Sequence, residues 1–125
     1  MKTNFLFLLL ALGYSAAAQN RQPFSPLLIT SKKTIDFHDS EKRGIACKSG
    51  MVYYVEQDLQ TITAYKAGKV IWRRNVVNKC GLPFEMTPGI RYISLDPRKL
   101  FIVYGKHHYT EISVATGKIR CLRTG

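Results

Sequence analysis

From Gly44 onward the chain alternates short apolar runs with turn residues, at a spacing that fits strands rather than helices. Met51–Val55 is apolar on both faces of an extended strand: Met51, Tyr53 and Val55 point one way, Val52 and Tyr54 the other. Leu100–Tyr104 does the same, with Leu100, Ile102 and Tyr104 opposed to Phe101 and Val103. Around these two, Gly44–Cys47, Gln60–Lys66 and Lys69–Val77 read as strands in a first unit. Ile90–Leu95, His108–Val114 and Lys118–Leu122 read as strands in a second. Lys48-Ser49-Gly50, Gln57–Leu59, Ala67-Gly68, Asp96–Lys99, Gly105–His107 and Ala115–Gly117 supply the turns. Asn78–Pro88, with Gly81, Pro83 and Pro88, divides the units. Upstream, Gln19–Ser25 is polar and loose, Leu27–Thr30 and Lys33–Phe37 form one extended stretch, and His38–Arg43 is a charged loop. Nothing after the N-terminal leader keeps a 3.6-residue apolar period, so little helix is expected.

The second unit copies the first. Met51–Val70 falls without a gap on Leu100–Ile119, 49 residues later, placing Thr61 on Thr110, Gly68 on Gly117 and Lys69 on Lys118. A period of this size marks a repeated supersecondary unit, and a four-stranded propeller blade is about that long. A one-faced antiparallel sheet would alternate polar and apolar residues, so a doubly apolar strand belongs between two layers. Two units can cover only one face of each other. The outer faces then need the N-terminal segment, a second copy of the chain or a partner protein.

Gly50-Met51-Val52-Tyr53-Tyr54-Val55, Thr61–Ala67 and Gly68-Lys69-Val70-Ile71-Trp72 together resemble the repeat of quinoprotein-type (PQQ-like) β-propellers. In that repeat a Val-Tyr strand leads to a second strand, a Thr-Gly-Lys turn and a Trp on the outermost strand. Ala115-Thr116-Gly117-Lys118 matches the turn better than Lys66-Ala67-Gly68-Lys69. Cys121 stands where the first unit has Trp72, and neither unit has the family's Asp before the turn, Lys66 and Ala115 lying there instead. The resemblance spans Gly44–Leu122 and implies an all-β fold: two four-stranded antiparallel propeller-blade-like repeats, about 44–77 and 90–122, plus an N-terminal strand, forming an incomplete propeller. It implies no cofactor, because a quinone site needs a complete ring with residues gathered at its centre.

The first 18 residues form a secretory leader: Lys2, the apolar run Phe5–Leu12, and Ala16-Ala17-Ala18 before Gln19. The apolar run is too short to span a bilayer, and no later window approaches the ~20 apolar residues a spanning helix needs. A periplasmic or secreted protein is therefore expected, cut after Ala18, with an extended segment at 19–43 and one domain at 44–125. Without Lys2 the chain keeps 18 bases against 8 acids, a net charge of +10. Such an excess attracts polyanions at long range. In an exported protein these are acidic glycans, envelope polyanions or acidic protein surfaces, and nucleic acid is not expected.

Cys47, Cys80 and Cys121 allow one disulfide and one remaining thiol, with the pairing open. No C-x-x-C spacing supports a zinc or redox site. His107 and His108 would point to opposite faces of a strand unless a turn bends there, so no metal site is expected. Asp36 and His38 are the carboxylate and imidazole a small hydrolase would need. No Gly-x-Ser-x-Gly nucleophile motif or phosphate-cradling loop accompanies them, so no catalytic residue is assigned and the chain is read as a non-enzyme. The candidate ligand or partner contacts are Tyr54, Trp72, Arg73, Arg74, Arg91, Phe101, Tyr104, Lys106, His107 and His108, where bases interleave with rings. Alternatively, Trp72 and Tyr104 are core residues and the charges a solvated outer strand. The first function expected is an exported, non-catalytic binding or scaffold module that completes its β-layers against a partner protein or by self-association. The alternative is a lectin-like module assembling into a ring, with a small secreted hydrolase as a third class.

Overall fold

The computed structural model describes residues 23–81 and 89–122. The leader, and Pro83 and Pro88 of the boundary segment, lie outside the described residues. Two antiparallel meanders dominate. The first runs through β3 (Gly44–Ala46), β4 (Met51–Val55), β5 (Thr61–Lys66) and β6 (Lys69–Asn75). The second runs through β7 (Ile90–Leu95), β8 (Lys99–Tyr104), β9 (His108–Ser113) and β10 (Ile119–Cys121). The fold is thus all-β.

The N-terminal stretch is not one strand. Pro26–Leu28 makes a 3-10 turn capped by the Ser25 hydroxyl, and β1 (Ile29–Thr30) then pairs parallel with β3. After the bend at 31–33, β2 (Thr34–Asp36) pairs antiparallel with β7. Each meander therefore gains a fifth strand: sheet A is ordered β1-β3-β4-β5-β6, and sheet B β10-β9-β8-β7-β2.

The sheets share one apolar core. Tyr53, Val55, Ile62, Ala64 and Trp72 of sheet A meet Ile93, Leu95, Leu100, Ile102, Tyr104 and Ile112 of sheet B. Corresponding faces of β4 and β8 thus turn inward, which leaves Val52 and Tyr54 on one outer face and Phe101 and Val103 on the other. The gapless alignment holds at β4/β8 and β6/β10 but slips between them. Val55 pairs with Ile62, whereas its counterpart Tyr104 pairs with His108, so the second hairpin is three residues shorter. The next turn restores them: Ala64 pairs with Trp72, and Thr110 with Cys121. Thr110 therefore takes the place of Ala64, fully buried, while its aligned partner Thr61 is half-exposed and bonded to Asp58.

A second departure follows β6. The strand expected to reach Val77 ends at Asn75, and Val76–Cys80 forms a helical turn, α1. Asn75 caps it by accepting the Asn78 N–H at 2.9 Å, and Gly81 ends it at φ 101°. Val76 and Val77 are buried in the core, which is why this apolar pair read as strand. Cys80 at the end of α1 bonds Cys121 in β10, tying the last strand to the crossover between the meanders. Cys47 stays free and half-buried.

Trp72 joins the units at their outer strands. Its indole N–H donates to the Val114 carbonyl at 3.3 Å, and its ring lies against Gly117. A Cβ on Gly117 would come within 2.6 Å of the Trp72 Cγ, and Gly117 also has φ 73°. Gly117→Ala should cost about 2–4 kcal/mol, from overpacking and left-handed strain together. Gly50→Ala, at φ 90° but with no atom within 4 Å of the new Cβ, should cost only about 1–2 kcal/mol. Urea unfolding of both variants checks the contrast.

The disulfide closes a loop of sequence separation 41, for which chain entropy gives about 4 kcal/mol. Cys121→Ser, or reduction, should lower unfolding free energy by about 3–4 kcal/mol. An unchanged denaturation midpoint would show that β10 is held by its ladder and core contacts alone.

Candidate functional site

Two of the basic residues singled out in the sequence, Arg74 and Arg91, are spent on the backbone, and so is Arg43. Arg43, just before β3, donates to the carbonyls of Val55 (Nη2, 2.9 Å) and Glu56 where β4 ends. Arg91 in β7 does the same for β8, donating to the carbonyls of Gly105 (2.6 Å) and Lys106 (2.8 Å). These two clamps lie 48 residues apart, not 49, because the β7–β8 turn is one residue longer than the β3–β4 turn: Ser94 pairs with Phe101, whereas Ala46 pairs with Val52. The gapless alignment sets Arg43 on Tyr92 and hides the pair. Arg74 donates to the Gly117 carbonyl at 2.8 Å, beside the Trp72 ring. Arg73 donates to the Thr63 hydroxyl (3.1 Å) and the Tyr65 hydroxyl (3.4 Å). The Glu56 carboxylate accepts from both of those hydroxyls, at 2.7 and 3.0 Å.

That network borders the outer face of sheet A, which the chain covers itself. The Phe24 ring stacks on Tyr54 (5.2 Å, 15°) and meets the edge of Tyr65 at 5.3 Å. Tyr54 is 8% exposed and Tyr65 5%. An apolar recess of about 670 Å³ remains beside them, lined by Phe24, Pro26, Ile29, Val52 and Tyr65.

The outer face of sheet B carries no such cover among the described residues. The strand registers lay it out as rows. One crosses Asp36, Tyr92, Val103 and Tyr109; the next crosses Thr34, Ser94, Phe101, Glu111 and Arg120; the third pairs Lys99 with Ser113. Phe101 and Tyr109 are half-buried near-parallel rings 6.1 Å apart at 12°. Lys99 Nζ reaches Glu111 Oε2 at 2.9 Å. Beside them a recess of about 420 Å³ is lined by Lys99, Glu111, Ser113, Thr116, Lys118 and Arg120. Of the ten predicted contacts, Phe101 lies on this face. Lys106 and His107 are exposed in the β8–β9 turn, and Tyr104 and Trp72 are core.

The two histidines part company. His107 is exposed, whereas the His108 ring lies 4.8 Å from that of Tyr104, with its Nδ1 buried and unpartnered. The Tyr104 hydroxyl donates to the Gly81 carbonyl at 2.7 Å. Among the described residues no three His, Cys, Asp or Glu side chains gather as metal ligands, and no helix is long and apolar enough to cross a membrane. Asp36 accepts the backbone N–H of His38 at 3.0 Å, closing its own turn. Burial pushes the Cys47 thiol up, against the opposing charge of Lys33, away from the thiolate a nucleophile needs. No protein-family model, curated protein or solved structure matches the chain.

Two turn carboxylates are depressed. Burial alone would raise Asp58, but the Thr61 hydroxyl, the N–H groups of Gln60 and Thr61, and the charge of Arg43 together bring it below its ordinary value. The N–H groups of Arg98 and Lys99 lower Asp96. A group depressed on folding stabilises above its unfolded pKa, about 3.9, and loses that contribution as pH falls through the folded value. The melting temperature should therefore fall below about pH 4. Asp58→Asn should lower it at neutral pH and flatten part of the acid limb, as circular dichroism melts from pH 7 to 2 will record. An acid limb identical to wild type would remove Asp58 from the account.

Proposed function

We propose that the chain is an exported, non-catalytic binding or scaffold module whose unfinished layer is the outer face of sheet B, completed by a partner. One observation carries this reading: Phe24 closes the outer face of sheet A over Tyr54, while Tyr92, Phe101 and Tyr109 on sheet B are half-exposed with no counterpart lid among the described residues. Soluble proteins seldom leave a clustered aromatic face without a use for it. Export is supported by the leader and by the Cys80–Cys121 geometry, since such bonds persist in oxidising compartments. The raised Cys47 thiol and the self-bonded Asp36 support a non-catalytic role.

The propeller-blade reading of each meander draws support from Trp72. The outer-strand tryptophan of the first unit rests on Gly117, in the Thr-Gly-Lys turn of the second. The second unit has Cys121 at that position, and its sulfur turns back to Cys80. It therefore offers no tryptophan to a further unit. That supports completion by a different molecule over assembly of copies into a ring, as does the repulsion between chains of net charge +10.

Phe101→Asp and Tyr54→Asp separate the two faces. Phe101→Asp should cost at most about 1 kcal/mol of stability, yet reduce retention of solubilised cell-envelope material on the immobilised chain at least tenfold, or about 1.4 kcal/mol. Tyr54→Asp, which puts a charge under Phe24, should cost at least about 3 kcal/mol or prevent folding. Unchanged retention by Phe101→Asp would move the binding surface elsewhere. Equal destabilisation by both substitutions would mean that the sheet B face is already covered.

A further inference from the structure

The geometry points to an acidic oligosaccharide, one built from carboxylated sugars such as uronic acids, as the ligand of the outer face of sheet B. This inference rests on the binding-module reading and names the chemistry of the partner. The face combines three features that such a ligand uses together. Its first row offers ring surface: Tyr92, Val103 and Tyr109 lie side by side on β7, β8 and β9, with Phe101 diagonally adjacent and nearly parallel to Tyr109. The C–H faces of a pyranose are apolar and weakly positive, and they settle on the negative face of an aromatic ring.

Its far side offers positive charge. Lys99 is engaged by Glu111, and Lys118 and Arg120 make no ion pair among the described residues while lining the same recess of about 420 Å³. Arg120 can hold a carboxylate through two parallel N–H bonds, a fit a single lysine ammonium does not offer. Ser113, Thr116 and the Glu111 carboxylate line the same recess and can donate to or accept from sugar hydroxyls. Five strands at about 4.8 Å give a face some 19 Å wide, room for several sugar rings.

Glu111 also sets where the charges of such a ligand sit. It occupies the middle of the Phe101–Glu111–Arg120 row. A sugar hydroxyl gains an acceptor there, whereas any anion is repelled, so the ligand's carboxylates belong beside Arg120 and Lys118. A protein partner of ordinary size would bury the row in an interface centre, where charged residues are depleted.

Isothermal titration of the purified chain at moderate salt tests this. The probes are trigalacturonic acid, its methyl ester, hexaglutamate and a six-residue oligothymidylate. Trigalacturonic acid should bind, and the ester, which replaces each carboxylate by a neutral methyl ester, should bind at least tenfold more weakly. Lys118→Ala/Arg120→Ala should weaken the acid about tenfold while leaving the melting temperature within a degree or two. Phe101→Ala should weaken acid and ester alike. The inference falls if trigalacturonic acid does not bind, or if the ester binds as well. It falls equally if hexaglutamate or oligothymidylate binds as tightly with the same dependence on Arg120. If those results come while Phe101→Asp still abolishes envelope retention, the saccharide is wrong and the binding module stands; if retention is unaffected too, both fall.

Discussion

A β-strand apolar on both sides must be covered twice, and β4 and β8 both impose that demand. Each sheet covers one face of the other, and the shared core uses Tyr53, Val55, Ile102 and Tyr104 for it. The two remaining faces must be covered by something else. The segment before β3 meets the demand on sheet A, where Phe24 lies over Tyr54 and Tyr65, and it lends one edge strand to each sheet on the way. Among the described residues no such lid lies over the outer face of sheet B. The proposed function grows from this asymmetry between the two outer faces.

The frame that presents the open face is fastened at several points. Arg43 and Arg91 hold the turns at the ends of β4 and β8, Trp72 rests on Gly117, and the disulfide fixes β10 to α1. β10 is an edge strand with only three residues in its ladder, so without the disulfide it would be prone to fray. Arg120 and the recess beside it belong to that strand, which makes the crosslink a support for the face as well as for the fold.

Much of this was legible in the sequence. Period-two patterning located all eight strands of the meanders, and Gly and Asp marked their turns. The double apolarity of Met51–Val55 and Leu100–Tyr104 announced a two-layer core with an outer face still to fill. Other features were hidden for physical reasons. A hairpin three residues shorter cancels in an alignment against a turn four residues longer, less the one-residue bulge in β6, so the slip that carries Thr110 into the core leaves no gap. A β7–β8 turn one residue longer than its β3–β4 counterpart moves Arg91 by one residue and conceals its kinship with Arg43. Val76 and Val77 are β-formers, yet the Asn75 cap and the buried position of both turn them into helix. The Phe101–Glu111–Arg120 row exists only through cross-strand register, which side-chain types along the chain do not encode.

Phe24 lies over the outer face of sheet A and no such lid lies over that of sheet B among the described residues, a difference that side-chain accessibility in solution reads out. Ring-proton relaxation by a soluble paramagnetic agent, measured by nuclear magnetic resonance on the isolated chain, reports on both faces at once. Strong broadening of Phe101 and Tyr109 with little effect on Tyr54 and Tyr65 is the predicted result. Equal protection of all four rings, or broadening of Tyr54 as strong as that of Phe101, would contradict the account.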